Sequence, residues 1–187
     1  MFFLGARWAV RKLEGFVYPK VTRASSSNHA YDKAKYHSET IEELGLPPHN
    51  ASLLDVFFLS WLIKRGLTSG KFESEHSREL KRYRKDQLSI QDFYYERCDG
   101  CLVSDMLNDE GNAFATAYFD FQHGHYLADY EKHLQKDLPS AFHVTYSREN
   151  ETRFHAVIDA RYAQWKQHGL AVGGVSNAKG PADKAGS

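Results

Sequence analysis

Residues 51–65 have the sequence ASLLDVFFLSWLIKR, which is the most apolar stretch of the chain and decides its fold class. Its apolar side chains cover most of the circumference of a helix, a pattern typical of a helix in the centre of a core. Asn50 or Ser52 can cap its free amides, and Gly66 can adopt the left-handed conformation that ends it. The stretch therefore predicts a central, buried α-helix.

Further helices are predicted where capping residues precede apolar side chains at helical spacing. Ser89 and Asp92 form a capping-box pattern, and Asn108 precedes two acidic residues that favour a helix start. Together with glycine and proline stop signals, these patterns predict helices over residues 72–85, 89–98, 108–124, 125–134 and 150–168.

The predicted fold is mainly α, a single-domain bundle of about five to six helices. Residues 142–146 alternate in the manner of a short strand, but the sequence offers no evident partner strand, so at most a minor strand is expected. A length of 187 residues suits one domain. Residues 31–169 are predicted to form that domain, 1–30 a basic and aromatic segment, and 170–187 a disordered tail without aromatic side chains.

Charge and hydropathy exclude several classes of protein. The 24 Lys and Arg residues balance the 24 Asp and Glu residues, so nothing favours nucleic acid as a partner. No stretch approaches the roughly 18 to 20 uninterrupted apolar residues of a membrane span. The first residues are apolar, but Arg7 interrupts them before a signal-peptide core forms. We therefore expect a cytoplasmic protein without a membrane span.

The charge is unevenly distributed along the chain. Residues 101–147 contain seven acidic and two basic residues, whereas 71–100 contain seven of each and are typical of a solvated helical face. Amphipathic tyrosines suit binding surfaces, although they fill helical cores more often. Acidic residues at helix starts are also explained by the helix dipole alone. The candidate contact surface for a basic partner consists of Asp105, Asp109, Glu110, Tyr118, Tyr126, Asp129 and Tyr130.

The common catalytic signatures are absent from the sequence. It contains no GxxxxGK[ST], GxGxxG, HExxH or GxSxG motif. Cys98 and Cys101 form one CxxC pair without a second pair to complete a zinc site, and two reduced thiols at a helix end are the main expectation. No catalytic residue and no cofactor is therefore predicted.

Histidines provide the alternative, a small His/Asp-based and metal-dependent enzyme. His123, His125 and Asp129 are of residue types that ligate zinc or iron, but Gly124 is expected to break a helix between them. In a second group, Asp32 and His37 follow His29 at spacings that do not place all three on one helical face. Capping and packing are the main prediction for the first group, and structural or surface roles for the second.

A resemblance emerges when several segments are taken together: YDxAxxH at 31–37, FFLxWLIxxGL at 57–67, LNxxGNxFAxxYF at 107–119 and YLxDY at 126–130. They resemble a bacterial family of small, mostly uncharacterised helical proteins, similar in kind to the immunity proteins of polymorphic and type VI secretion toxins. The resemblance extends over about residues 30 to 168. It implies a cytoplasmic protein that binds a cognate toxin one to one and occludes its active site, without catalytic residues of its own.

Three functions follow from these observations. The leading hypothesis is a stoichiometric inhibitor with an interface of roughly 1,200–2,000 Å². The His/Asp-based enzyme is the second. The third is a scaffold or membrane-peripheral protein that uses Phe2, Phe3 and Trp8 together with neighbouring basic residues.

Overall fold

The computed structural model describes residues 28–168, so the predictions for the N-terminal segment before residue 28 and for the tail lie outside the described residues. The described part forms one mainly helical domain, as predicted, and contains eight α-helices, more than expected. No helix in residues 28–168 is long and apolar enough to cross a membrane. The elements are β1 (Ala30–Lys33), α1 (Ser38–Glu43), α2 (Leu53–Arg65), α3 (Gly70–Glu75), α4 (Ser77–Tyr83), α5 (Ile90–Cys98), β2 (Cys101–Val103), α6 (Asp109–Tyr118), α7 (Tyr126–Tyr130) and α8 (Arg148–His168).

The predicted central helix is confirmed as α2, in which every residue from Leu53 to Ile63 is buried. Gly66 ends it with a φ of 68°, in the left-handed region. The predicted caps are wrong, because the Asn50 amide donates to the Phe142 carbonyl (2.8 Å) and the Ser52 hydroxyl to the His49 carbonyl (2.7 Å). A 3₁₀ turn over residues 48–52 leads directly into the helix and replaces a side-chain cap.

An aromatic cluster around Phe58 of α2 forms the centre of the core. The Phe58 ring stacks on Phe119 at a centroid distance of 4.7 Å and on Trp61 at 5.9 Å, and meets Tyr126 edge-on at 5.7 Å. The Trp61 indole also donates to the Asp159 carboxylate at 2.6 Å, which ties α2 to α8. Large aromatic rings bury much apolar area, so this cluster contributes strongly to the stability of the core.

The two strands pair antiparallel, with Asp32 opposite Leu102 and Lys33 opposite Cys101. Residues 142–146 do not form the predicted strand. Ala141–His143 form a 3₁₀ turn, followed by irregular chain. The apparent alternation arises because Phe142 and Val144 are both buried in the core without strand pairing.

The charged segment 72–85 forms two short helices rather than one. Ser69 caps the first of them, because its hydroxyl accepts from the Phe72 amide at 3.2 Å. The chain leaves helical geometry at His76, whose ring packs on Phe72 at a centroid distance of 4.8 Å. The helix predicted over 108–124 ends at Tyr118. Gly124 therefore does not end this helix. A glycine is required at position 124 because a Cβ atom would lie 2.3 Å from the Tyr118 carbonyl oxygen.

Candidate functional site

The three tyrosines of the predicted contact surface are buried in the core. Tyr118, Tyr126 and Tyr130 have fully buried side chains. The Tyr126 hydroxyl donates to the Leu54 carbonyl at 2.6 Å, and the Tyr130 hydroxyl to the Ala141 carbonyl at 3.4 Å. These hydroxyl groups thus donate to hydrogen-bond acceptors inside the domain, and none of the three rings is exposed for contact with a partner.

Asp129 is also withdrawn from the surface. Its carboxylate receives a two-pronged hydrogen bond from the Arg161 guanidinium, with Nε to Oδ2 at 2.7 Å and Nη2 to Oδ1 at 2.8 Å. The Tyr118 hydroxyl donates to the same Oδ2 at 3.1 Å. Burial, and then the neighbouring carboxylate, raise the pKa of Tyr118. Asp129 therefore joins α7 to α8 and is not a surface charge.

The remaining predicted contact residues lie at or near the surface. Asp105 and Asp109 are exposed, and neither makes an ion pair within the described residues. Glu110 is half-buried and accepts from the Tyr162 hydroxyl at 2.5 Å and from the Lys166 ammonium group. These hydrogen bonds lower the pKa of Glu110. Asp105 and Asp109 are thus the predicted acids that stay available to a partner.

Asp105 lines a cleft between α3, the end of α5 and β2, which we call the α3–α5 cleft. It has a volume of about 230 Å³. Lys71 and Arg97 contribute positive charge, and Asp105 contributes negative charge together with Glu75 and Asp99. The buried Phe72 and Met106 provide an apolar wall. The cleft therefore combines apolar contact area with charges of both signs, a combination typical of sites that accept a protruding side chain.

The turn that carries Asp105 is held firmly against the start of α3. The Ser69 hydroxyl donates to the Asp105 carbonyl at 2.8 Å, and the Ser69 amide donates to the Met106 carbonyl at 2.8 Å. The backbone around Asp105 is thereby fixed while its carboxylate stays exposed. Such a pre-organised contact loses little conformational entropy when a partner binds.

A second polar group lies in the core beneath β1. Asp32 and His37 meet there, with the Nε2 atom 2.7 Å from Oδ2. Asp55 of α2 accepts from the Tyr94 hydroxyl at 2.8 Å. All four side chains are at most 1% exposed. Sequence spacing correctly excluded a shared helical face for His29, Asp32 and His37. It missed Asp55 and Tyr94, which the tertiary structure brings close enough to Asp32 for its charge to act on both.

This buried polar cluster, comprising Asp32, His37, Asp55 and Tyr94, leaves three of its atoms without a partner among residues 28–168. They are Asp32 Oδ1, His37 Nδ1 and Asp55 Oδ1. Burial, followed by the charge of Asp32, raises the pKa of Asp55 well above its ordinary value. A protonated Asp55 avoids placing a second negative charge beside Asp32.

We predict that Asp55→Asn flattens the pH dependence of stability. With a raised pKa, the folded state binds the Asp55 proton more tightly than the unfolded state does. The resulting stabilisation is complete below the ordinary value of 3.8 and is lost as the pH rises through the folded-state pKa. Urea unfolding at a series of pH values should show a steeper loss for the wild type than for Asp55→Asn.

Asp137→Asn provides a control for this measurement, because Asp137 is exposed and its removal deletes the same formal charge. Its profile should follow that of the wild type. If the profiles of Asp55→Asn and Asp137→Asn were parallel, the protonated state of buried Asp55 would be refuted.

The histidines proposed for a metal site are not assembled into one. The His123 ring is exposed and lies 3.2 Å from Asp120, while the Asp129 carboxylate is held by Arg161. His125 is half-buried at the start of α7. Within the described residues, no three His, Cys, Asp or Glu side chains are grouped so that they can hold a metal ion.

Cys98 and Cys101 are free thiols, both half-buried. Burial raises the pKa of Cys98 to about 12 and also raises that of Cys101. Because the thiolate is the reactive form, both groups are poor nucleophiles and weak metal ligands in this environment.

Sequence reasoning missed one buried contact between a serine and a histidine. Ser60 of α2 lies 2.8 Å from Nε2 of His155 in α8. The Ser60 hydroxyl donates to the Phe57 carbonyl at 3.0 Å, so its oxygen is left to accept from the ring. Burial lowers the pKa of His155 to about 4. The pair is inaccessible and oriented for a structural bond between α2 and α8, not for nucleophilic catalysis.

The sequence matches a known protein family. Residues 30–144, more than half of the chain, match the model of a domain of unknown function, DUF7832. The chain belongs to the DUF7832 family. The match begins at β1 and ends just after the 3₁₀ turn of residues 141–143, so it contains the buried polar cluster and the α3–α5 cleft. No curated protein and no solved structure matches the chain.

The DUF7832 match ends before α8, although α8 completes the core. Arg161 and His155, which bond to Asp129 and Ser60, both lie on this last helix. The family description names no function, and the similarity to immunity proteins stays a prediction.

Proposed function

We propose that the protein is an immunity-type inhibitor, which binds a cognate bacterial toxin in the cytoplasm as a one-to-one complex and occludes its active site. The observation that supports this proposal is the exposure of Asp105 and Asp109, two carboxylates without an ion-pair partner in residues 28–168, with Asp105 at the α3–α5 cleft. Unpaired charges beside a cleft suit recognition of an oppositely charged partner.

The cleft suggests how such a toxin is recognised. A basic side chain from the toxin can enter beside Asp105 while its aliphatic stem packs on Phe72 and Met106. Long basic side chains with apolar stems are common anchors of tight complexes. A toxin that acts on a polyanion carries basic residues around its active site, so this contact would also cover that site.

An enzyme based on the buried polar cluster is supported less well. The partnerless atoms of Asp32, His37 and Asp55 are of the kind found in catalytic sites. Their side chains are at most 1% exposed, so a substrate would have to open the core to reach them. Metal analysis of the purified full-length chain would identify a bound ion directly and favour the enzyme if one were present.

The first experiment is capture of the tagged protein from its native host, with the neighbouring reading frames expressed alone and tested for toxicity. We expect a stable partner at equal stoichiometry whose toxicity this protein suppresses. Failure to find both a partner and a toxic neighbour would contradict the immunity proposal.

We predict that the double charge reversal Asp105→Lys and Asp109→Lys weakens the toxin complex by about tenfold or more, equivalent to about 1.4 kcal/mol. The two variant side chains repel a basic contact surface, and their exposure means that the fold tolerates them. Titration calorimetry with the captured toxin measures the affinity, and circular dichroism verifies folding.

The matched control is Glu96→Lys with Asp137→Lys, which changes net charge equally at two other exposed positions. This control should keep its affinity within about twofold, since neither position lines the α3–α5 cleft. Equal affinity of both double variants for the toxin would rule out the Asp105–Asp109 contact.

A further inference from the structure

Four basic side chains line a shallow groove along α4 and the turn that follows it. They are Arg78, Lys81, Arg82 and Lys85, all exposed, with Ser77 and Gln87 at the edge. The groove has a volume of about 310 Å³, and no carboxylate lines it. We call this surface the basic groove.

The basic groove arises from helical spacing. Arg78, Lys81 and Arg82 lie three and four positions apart, which places them on one face of α4, and Lys85 follows in the turn after the helix ends at Tyr83. The nearby acidic residues pair with cations outside the groove: Glu73 of α3 with Arg84 at 2.9 Å, and Glu79 of α4 with Arg97 at 3.3 Å. Residues 71–100 contain equal numbers of acidic and basic residues, yet positive charge without an ion pair among residues 28–168 lies along one side of α4.

The groove cations have no internal anionic partner in the described part of the chain. No ion pair involves Arg78, Lys81 or Lys85 there, and the Arg82 guanidinium donates to the Gln87 carbonyl at 3.3 Å. Like charges three and four residues apart on a helix repel one another. An external anion that binds in the groove relieves this repulsion.

We propose that the basic groove binds an acidic segment of a partner protein. Arg78, Lys81 and Arg82 span about 6 Å along α4 at 1.5 Å per residue. This length matches the spacing of about 7 Å between two carboxylates on one side of an extended segment. Nucleic acid is a poorer fit, because no aromatic side chain lines the groove for base stacking.

This inference is independent of the proposed function. It uses a different surface and a partner segment of opposite charge, so loss of toxin binding in the Asp105 variant does not test it. If both are correct, the protein contacts acidic and basic regions through separate surfaces.

The test is fluorescence anisotropy of a labelled oligo-glutamate peptide with the full-length protein at low ionic strength. We expect saturable binding that weakens as salt is added. Arg78→Glu with Lys81→Glu should lower the affinity by about tenfold or more. Neutralisation by Arg78→Gln with Lys81→Gln should cause a smaller loss, and it guards against misfolding of the charge-reversed chain.

The matched control is Lys35→Glu with Lys132→Glu, which reverses two exposed charges away from the groove. It should retain the wild-type affinity for the peptide. Three results would overturn the proposal: no peptide binding at low salt, equal losses in the groove and control variants, or tighter binding of a single-stranded oligonucleotide with the same number of charges.

Discussion

Replacing Phe58 by Ala is expected to lower the free energy of unfolding by about 3–5 kcal/mol, because it leaves a cavity at the centre of the core. Phe58 is fully buried. Its ring packs on Phe119, Trp61 and Tyr126, so one truncation removes several aromatic contacts. Urea denaturation followed by circular dichroism measures the loss as a lower midpoint with little change in the slope.

Two further variants provide reference values for this loss in the free energy of unfolding. Phe58→Leu retains most of the side-chain volume, so its cost should be well below that of Phe58→Ala. Tyr95→Ala removes an aromatic ring that is 37% exposed and should cost less than about 1 kcal/mol. A Phe58→Ala protein as stable as Tyr95→Ala would contradict the position of α2 in the core.

Arg161→Gln is the second large change, with an expected loss of about 3 kcal/mol in the free energy of unfolding. The substitution leaves the Asp129 carboxylate buried without its two guanidinium hydrogen bonds. We place the loss at the lower end for a broken buried pair because Arg161 itself is 29% exposed. Thermal and urea unfolding of the variant measure it.

Arg153→Gln on the same helix is the matched control. Arg153 pairs with Glu149 at 2.7 Å, and both side chains are exposed, so its loss should cost less than about 0.5 kcal/mol. Adding Asp129→Asn to Arg161→Gln should restore part of the lost stability, because the uncompensated charge is removed. No restoration would show that Arg161 acts through packing and not through its charge.

Local signals predicted the helices whose ends are determined by neighbouring residues. The Ser89 hydroxyl accepts from the Asp92 amide at 3.0 Å, and Asn108 Oδ1 accepts from the Gly111 amide at 2.8 Å. Both contacts span three residues, so the sequence alone contains them. α2 was predicted for a similar reason, since a continuous apolar stretch needs a buried position whatever surrounds it.

The strands and the tyrosines could not be predicted in this way. β1 and β2 contain four and three residues, too few for alternation to differ from chance, and each needs a distant partner. Whether a tyrosine is buried depends on an acceptor elsewhere in the fold, such as the Leu54 carbonyl for Tyr126, which lies 72 residues away. The spacing within α7 contains no such information.

A charge count over the whole segment 71–100 does not reveal the basic groove. Seven acidic and seven basic residues over 71–100 predict a neutral face only if both signs alternate around the helix. Ion pairs from Glu73 to Arg84 and from Glu79 to Arg97 use cations outside the groove. Charge has to be counted by face to reveal such a surface.

The small sheet also has a consequence for biosynthesis. The His29 amide donates to the Ser104 hydroxyl, 75 residues further along the chain. At a synthesis rate of about 5–20 residues per second, β1 therefore leaves the ribosome roughly 4–15 seconds before its partner strand. During this interval β1 has no strand to pair with, so the sheet can form only after residues 101–103 have been synthesised.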